Sequence, residues 1–188
     1  MRKLKLQVQM SLDGFVARPD GDGDWIWIGK RDDSLYDRVI QLADTCDTIL
    51  MGRKMSGELI THWENVLDNK PGDLEHPLAQ RMVNLRKIVF SRSVKNIKGR
   101  NVEVENGDMV AAVTKLKKQP GKDIIVYGGA SFVSALISNN LIDEYYIYRK
   151  PVAIGAGLPI FKEQKVLDLE SSVKLSNGTL LNKYVPVS

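Results

Sequence analysis

Three short apolar runs, TILMG at 48–52, KIVFS at 87–91 and IIVYG at 124–128, constrain this chain most. None alternates polar with apolar residues, so each reads as a strand buried on both faces. Such strands need helices above and below them, and helical periodicity lies between the runs. Residues 32–45 place Leu35, Val39, Leu42 and Ala43 on one face, with Asp32 or Asp33 available as the cap. Residues 77–84 form another helix, Pro77 suiting its first turn. NVEVE at 101–105 is a short strand. Asp108 then opens a helix over 109–118, which Pro120 and Gly121 close, and a last helix covers SFVSALISNNL. Strands alternating with helices predict an α/β sheet whose strands run parallel.

The two ends of the chain differ from this middle. LKLQVQM at 4–10 alternates with period two, which predicts a strand with one wetter face. At the other end DEYYIYRKPVAI, KVLDLESSVKL and TLLNKYVPV are strand candidates, the last two joined by SNG as a hairpin turn. The expected whole is one mixed sheet with an antiparallel C-terminal edge, in a single domain over 1–188. PDGDGDW at 19–25 is a loop, and 56–73 reads as a surface loop beside a short helix.

Composition removes several classes of function. Lys and Arg number 27 against 23 Asp and Glu, a mild excess that admits an anionic ligand without arguing for nucleic acid. The single cysteine, Cys46, forms no intrachain disulfide, and Asp44 and Asp47 beside it disfavour a thiolate. His62 and His76 lack partners at zinc-ligand spacing, GDGD at 21–24 lacks the rest of a calcium loop, and no GxSxG elbow occurs. No metal is expected. With no signal peptide and no long apolar run, the expected address is the cytoplasm.

What remains is a set of strand ends suited to an anion. IIVYG runs into Gly128 and Gly129, followed by Ala130 and Ser131 at a helix start. A helix start offers backbone N–H groups, and glycine lets a phosphate approach them. A tight turn with no ligand would look the same. TILMG ends at Gly52, with Arg53, Lys54 and Met55 next, and KIVFS ends at Ser91 and Arg92. Three such ends together suit an extended, multiply charged cofactor, and hydride transfer is chemistry in which a nicotinamide needs little beyond orientation from side chains.

In order along the chain, QMSLDGFVARPDGDGDWI, DTILMGRKM, KIVFSRS, GKDIIVYGGASFVSALI and DEYYIYRKPVAIGAGLPIF resemble the dihydrofolate-reductase-like family related to the reductase domain of bacterial riboflavin biosynthesis. The resemblance implies a mainly parallel sheet between helical layers, with an antiparallel C-terminal hairpin. It implies NADPH: Arg53, Lys54, Ser91 and Arg92 at the adenosine 2′-phosphate, Gly128, Gly129, Ala130 and Ser131 along the pyrophosphate, and Phe15, Val16 and Ala17 beside the nicotinamide. Asp13 and Gly14 match the turn that shapes that last loop. It also implies a homodimer, to which the Tyr- and Leu-rich terminal strands lend an open edge.

The chain departs from the family in two places. The carboxylate that anchors the pterin of folate reductases falls near Tyr36, with Asp33 and Asp37 flanking it. A cap and a solvated face are the plainer readings of those two acids, so efficient folate reduction is not expected. Met55 stands where a small hydroxyl residue is common, which removes one phosphate hydrogen bond. Trp25, after the flexible loop, is the tryptophan best placed to wall a flat substrate; Trp27 and Trp63 are alternatives. The catalytic candidates are thus Asp33, Tyr36, Asp37 and Trp25. The expected activity is NADPH-dependent reduction of a small planar heterocycle or carbonyl compound, pterin- or flavin-precursor-like. The alternative is a nucleotide-binding regulator that keeps the fold without turnover.

Overall fold

The computed structural model describes residues 1–29 and 32–187. Its centre is an eight-stranded sheet. The strands are β1 (Leu4–Met10), β2 (Cys46–Gly52), β3 (Arg86–Phe90), β4 (Val102–Glu105), β5 (Asp123–Val126), β6 (Glu144–Arg149), β7 (Leu167–Lys174) and β8 (Leu180–Pro186). Their spatial order is β4-β3-β2-β5-β1-β6-β8-β7. The first six pair in parallel, while β8 runs antiparallel to both β6 and β7. This is the dihydrofolate-reductase-like three-layer fold, with the C-terminal hairpin where the turn around Gly178 placed it.

Helices α1 (Ser34–Asp44), α2 (Arg53–Asn69) and α3 (His76–Asn84) cover one face. Val39 and Leu42 of α1, Ile60 of α2 and Leu78 and Met82 of α3 pack there on Ile49, Met51, Val89 and Ile125. On the other face, α4 (Met109–Lys118) and α5 (Ala130–Ser138) set Val113, Leu116, Val133 and Leu136 on Leu4, Leu6, Val8 and Met10 of β1. Asp108 caps α4, its carboxylate accepting from the Ala111 N–H at 2.8 Å, and three lysines lie in the last turn, where the helix dipole favours them. The buried Lys87 closes α3 by donating to the Met82, Val83 and Leu85 carbonyls at 2.8–2.9 Å.

Two expectations need correction. Residues 56–73 are not mainly loop: α2 starts at Arg53 and continues to Asn69, because Ile60 and Val66 keep a buried face through the polar stretch. The polar face of β1 is largely buried, with only Gln9 half-buried. The strand lies fifth of eight, between β5 and β6, and its residues Lys5 and Gln7 are buried. Alternation marked two different burial environments, not burial against solvent. Among the described residues no helix is long and apolar enough to cross a membrane.

Candidate active site

From β1 the connections build outward in opposite directions, with β5 inserted between β1 and β2. Open α/β sheets take ligands at such a switch point, at the C-terminal ends of the strands. Gly52 pairs with Phe90, so Arg53–Lys54 and Ser91–Arg92 leave the sheet side by side. Leu50 pairs with Val126, which brings the start of α2 beside the Gly128–Gly129 turn. The fold therefore gathers the three strand ends that stand far apart in sequence.

The glycines have distinct reasons. A Cβ at Gly52 would meet the Phe132 Cβ at 2.9 Å, so this glycine lets α5 pack on β2, and Phe132 stacks on Phe90 with ring centroids 5.0 Å apart. Gly128 has φ +153, a conformation L side chains rarely adopt, and the Gly128–Gly129 peptide is cis. Met55 lies over this turn, its Sδ 2.8 Å from where a Gly128 Cβ would stand. That position of Met55 replaces a hydroxyl with a thioether against the turn.

Helices α2 and α5 both start from glycine N-caps, Gly52 and Gly129, and no side chain among the described residues takes their first-turn N–H groups. Arg53, Lys54 and Arg92 are exposed, and none makes a side-chain hydrogen bond or ion pair among the described residues. Ser91 is buried, and its Oγ accepts from the Val94 N–H at 3.0 Å, so it folds its own loop and keeps only its O–H to offer. Ala130 is half-buried and Ser131 exposed on the first turn of α5. Two open helix starts and three unpaired cations fit the phosphates of a dinucleotide.

Phe15, Val16 and Ala17 form a ribbon against residues 155–158. The Val16 N–H donates to the Leu158 carbonyl at 3.0 Å, and the Leu158 N–H to Ala17 at 2.8 Å. Asp13 ties the same two loops: its carboxylate accepts from the Ser11 hydroxyl at 2.6 Å and the Gly155 N–H at 2.7 Å. These bonds, the Ser11 one first, hold the Asp13 carboxyl below its ordinary range.

The catalytic candidates are not brought together. Asp33 and Asp37 are exposed on the first turn of α1. The cap function falls to Asp32, whose carboxylate accepts from the Ser34 N–H and from the N–H and hydroxyl of Ser176 at 2.7–2.9 Å, joining α1 to the terminal hairpin. Tyr36 turns its hydroxyl to Glu75 at 2.9 Å, and the other Glu75 oxygen meets His62 at 3.1 Å. Trp25 is fully buried in a short 3-10 turn (Asp24–Trp27), its indole N–H unpartnered. Trp27 is exposed, and Trp63 packs between α2 and α3, away from the strand ends.

Sequence reasoning passed over three polar residues near the rim. The side-chain oxygens of Gln7 and Gln9 are sealed and accept no hydrogen bond among the described residues. A buried polar group left in that state costs about 1–3 kcal/mol. Lys150 extends the β1–β6 ladder through its N–H, which donates to Met10 at 2.8 Å. It is buried without a side-chain partner among the described residues, and burial draws its ammonium below the ordinary lysine range, with Asp32 opposing. The signal for the glutamines was available. A first strand feeding a parallel sheet is commonly interior, where an alternating polar residue cannot reach water.

Comparison with known proteins gives this geometry a family. The model of the RibD C-terminal domain matches residues 2–181. The chain belongs to the RibD C-terminal domain family. The uncharacterized protein YyaP of Bacillus subtilis (strain 168) is 36% identical over 187 residues, covering 97% of this chain and 94% of that protein. The RibD protein of Acinetobacter baumannii superposes with a TM-score of 0.71 at 17% identity, over 100% of this chain and 58% of its own. A pyrimidine reductase-like protein of Corynebacterium diphtheriae gives 0.65 at 15%, over 100% and 92%. At these identities the two structures establish the shared fold.

Proposed function

We propose that this RibD C-terminal domain is an NADPH-dependent reductase of a small planar heterocycle or carbonyl compound. The observation that carries the reading is the rim itself: two helix starts on adjacent strands without side-chain caps, with Arg53, Lys54 and Arg92 unpaired just beyond them among the described residues. The cations suit an adenosine 2′-phosphate, the Gly128–Gly129 turn and Ser131 the pyrophosphate, and the Phe15–Ala17 ribbon the nicotinamide. Bound there, NADPH supplies a hydride. The chain's part is to orient the acceptor and exclude water. The pyrimidine reductase-like description of the Corynebacterium diphtheriae protein agrees with a ring substrate.

The register that the family resemblance assigns to a folate-anchoring carboxylate holds Tyr36, whose hydroxyl donates to Glu75. Dihydrofolate turnover is therefore expected to be negligible, and a steady-state assay with robust dihydrofolate-dependent NADPH oxidation would refute this. The same lack of a carboxylate there favours, as a second reading, a nucleotide-binding protein without turnover. Calorimetry at one stated salt concentration tests the shared core of both. NADPH binds more tightly than NADH, and Arg53→Ala weakens NADPH by about tenfold to a hundredfold while NADH changes little. Equal affinities for the two cofactors would sink the cofactor assignment. NADPH oxidation against pterins, pyrimidines, quinones and aldehydes then separates enzyme from regulator.

We also propose a homodimer through the β7–β8 hairpin. Strand β7 is the sheet's outer edge, and Val166, Leu169 and Leu180 lie exposed on the hairpin. Light scattering that returns the 21.1 kDa mass of one chain would end this claim without touching the cofactor site.

A further inference from the structure

Among the described residues four lysines are buried: Lys5, Lys87, Lys117 and Lys150. Three of them are paired. The Lys5 ammonium bonds the Thr45 hydroxyl at 2.9 Å and meets Asp123 at 2.8 Å. Lys87 donates to the carbonyls that end α3. Lys117 meets Asp143 at 2.7 Å and donates to the Leu141 carbonyl at 3.2 Å. Lys150 is 7% exposed, and its ammonium makes no hydrogen bond or ion pair among the described residues. A buried charge without a partner destabilises a fold, so packing alone would put an aliphatic residue there.

Position divides the four in the same way. Lys5 and Lys87 stand second in β1 and β3, and the Lys117 carbonyl accepts from the Arg2 N–H just before β1. All three thus lie at the strand starts. Lys150 follows β6 at the opposite end of the sheet, where open α/β sheets take ligands. Tyr146 and Tyr148 belong to the layer beneath α1 to α3, and Lys150 continues their alternation. Carried one residue beyond Met10–Arg149 and Arg149–Leu180, the register sets Ser11 and Thr179 on either side of it. Neither is charged. Asp32, just before α1, is the charge that acts on the ammonium. The α1 start itself gives no support, because a helix N-terminus disfavours a cation.

We infer that Lys150 is the proton donor of the reduction, touching the acceptor at the atom that takes the proton. The inference rests on the reductase reading of the same strand ends. When a hydride adds to the carbon of a C=O or C=N bond, the π pair moves onto the heteroatom. That atom takes a proton from the Lys150 ammonium, a neutral amine remains, and water restores its proton. The neighbouring acids are unsuited to this step. Asp32 accepts from the N–H and hydroxyl of both Ser34 and Ser176, and stays ionised at neutral pH. Asp13 is held ionised by Ser11 and Gly155. Burial pushes Tyr127 and Tyr148 above the ordinary tyrosine range and makes them weaker acids. The same burial moves a lysine the other way, so Lys150 gives up its proton more readily than an exposed lysine does.

The test follows NADPH oxidation by the full chain with phenanthrenequinone, a flat dicarbonyl. The wild-type rate falls as the pH rises through the point where Lys150 loses its proton. Carbon NMR of the lysine Cε signals reads that point directly, Lys150 being the signal that Lys150→Met removes, and it lies below the ordinary lysine value. Lys150→Met and Lys150→Arg each lower the rate by about a hundredfold or more and lose that pH limb, since arginine keeps the charge but does not release a proton. Both bind NADPH as the wild type does in calorimetry, and Lys150→Met melts no lower than the wild type. An arginine variant at full rate shows that charge alone suffices and overturns the donor role. So does a methionine variant at full rate, a slower variant that keeps the wild-type pH limb, or a Lys150 that titrates with the exposed lysines. NADPH binding without phenanthrenequinone reduction overturns it as well and favours the nucleotide-binding reading. A protein that takes up no NADPH loses the reductase reading, and the donor role with it.

Discussion

The two faces of β1 meet two different interiors. Toward α4 and α5 it presents Leu4, Leu6, Val8 and Met10, all buried and all apolar. Toward α1 to α3 it presents Lys5, Gln7 and Gln9, of which Lys5 has two side-chain partners and the glutamine side-chain oxygens have none among the described residues. One face holds the fold together and the other keeps hydrogen-bonding capacity in reserve. The contrast teaches that burial alone does not describe an interior layer; whether its polar groups find partners matters as well.

The contrast can be broken first on its apolar side. Leu6→Ala removes a fully buried side chain and should cost about 2–5 kcal/mol of unfolding free energy in urea titration, whereas Gln7→Leu should change stability by less than about 1 kcal/mol. Equal losses from both would erase the distinction. A smaller effect sharpens it within the polar layer. Lys87→Met strands three carbonyls at the end of α3 and should cost about 1–3 kcal/mol while leaving NADPH affinity unchanged. Here a buried polar group with every bond made behaves as structure, and a loss of cofactor affinity would contradict that.

The smallest effect expected depends on pH. The Ser34 and Ser176 hydroxyls hold the Asp32 carboxyl well below the usual carboxylate range. The unfolded chain therefore binds this proton at a higher pH than the folded chain does. Asp32 stabilises the fold above pH ~4, and the contribution is lost as the pH falls through that region toward the folded value. Asp32→Asn should thus melt lower than the wild type at pH 7, with the gap closing in acid. A gap that stays constant with pH would show that Asp32 acts through its shape and not its charge.

Much of this was legible in the residues. TILMG, KIVFS and IIVYG declared buried parallel strands, Asp108 its helix start, and SNG the terminal hairpin, because each depends on neighbours within a few positions. The strand ends that carry glycine and cations were legible for a similar reason, since those residue types carry their meaning locally. Helix α2 was harder to read, as its few buried residues are diluted by a polar exposed face.

The sequence by itself determined which segments are strands and helices and which strand ends offer cations and open N–H groups. Tertiary structure decided the rest. Tyr36 turned its hydroxyl to Glu75, 39 positions away, and Asp32 rather than Asp33 became the anchor of α1 through Ser176, 144 positions away. Gln7 became buried, and Gln9 half-buried, only because β5 and β6, formed more than a hundred residues later, enclose β1. Periodicity records the spacing of side chains along one element, but whether a polar face meets water, a partner or a ligand is set by which distant element lies against it.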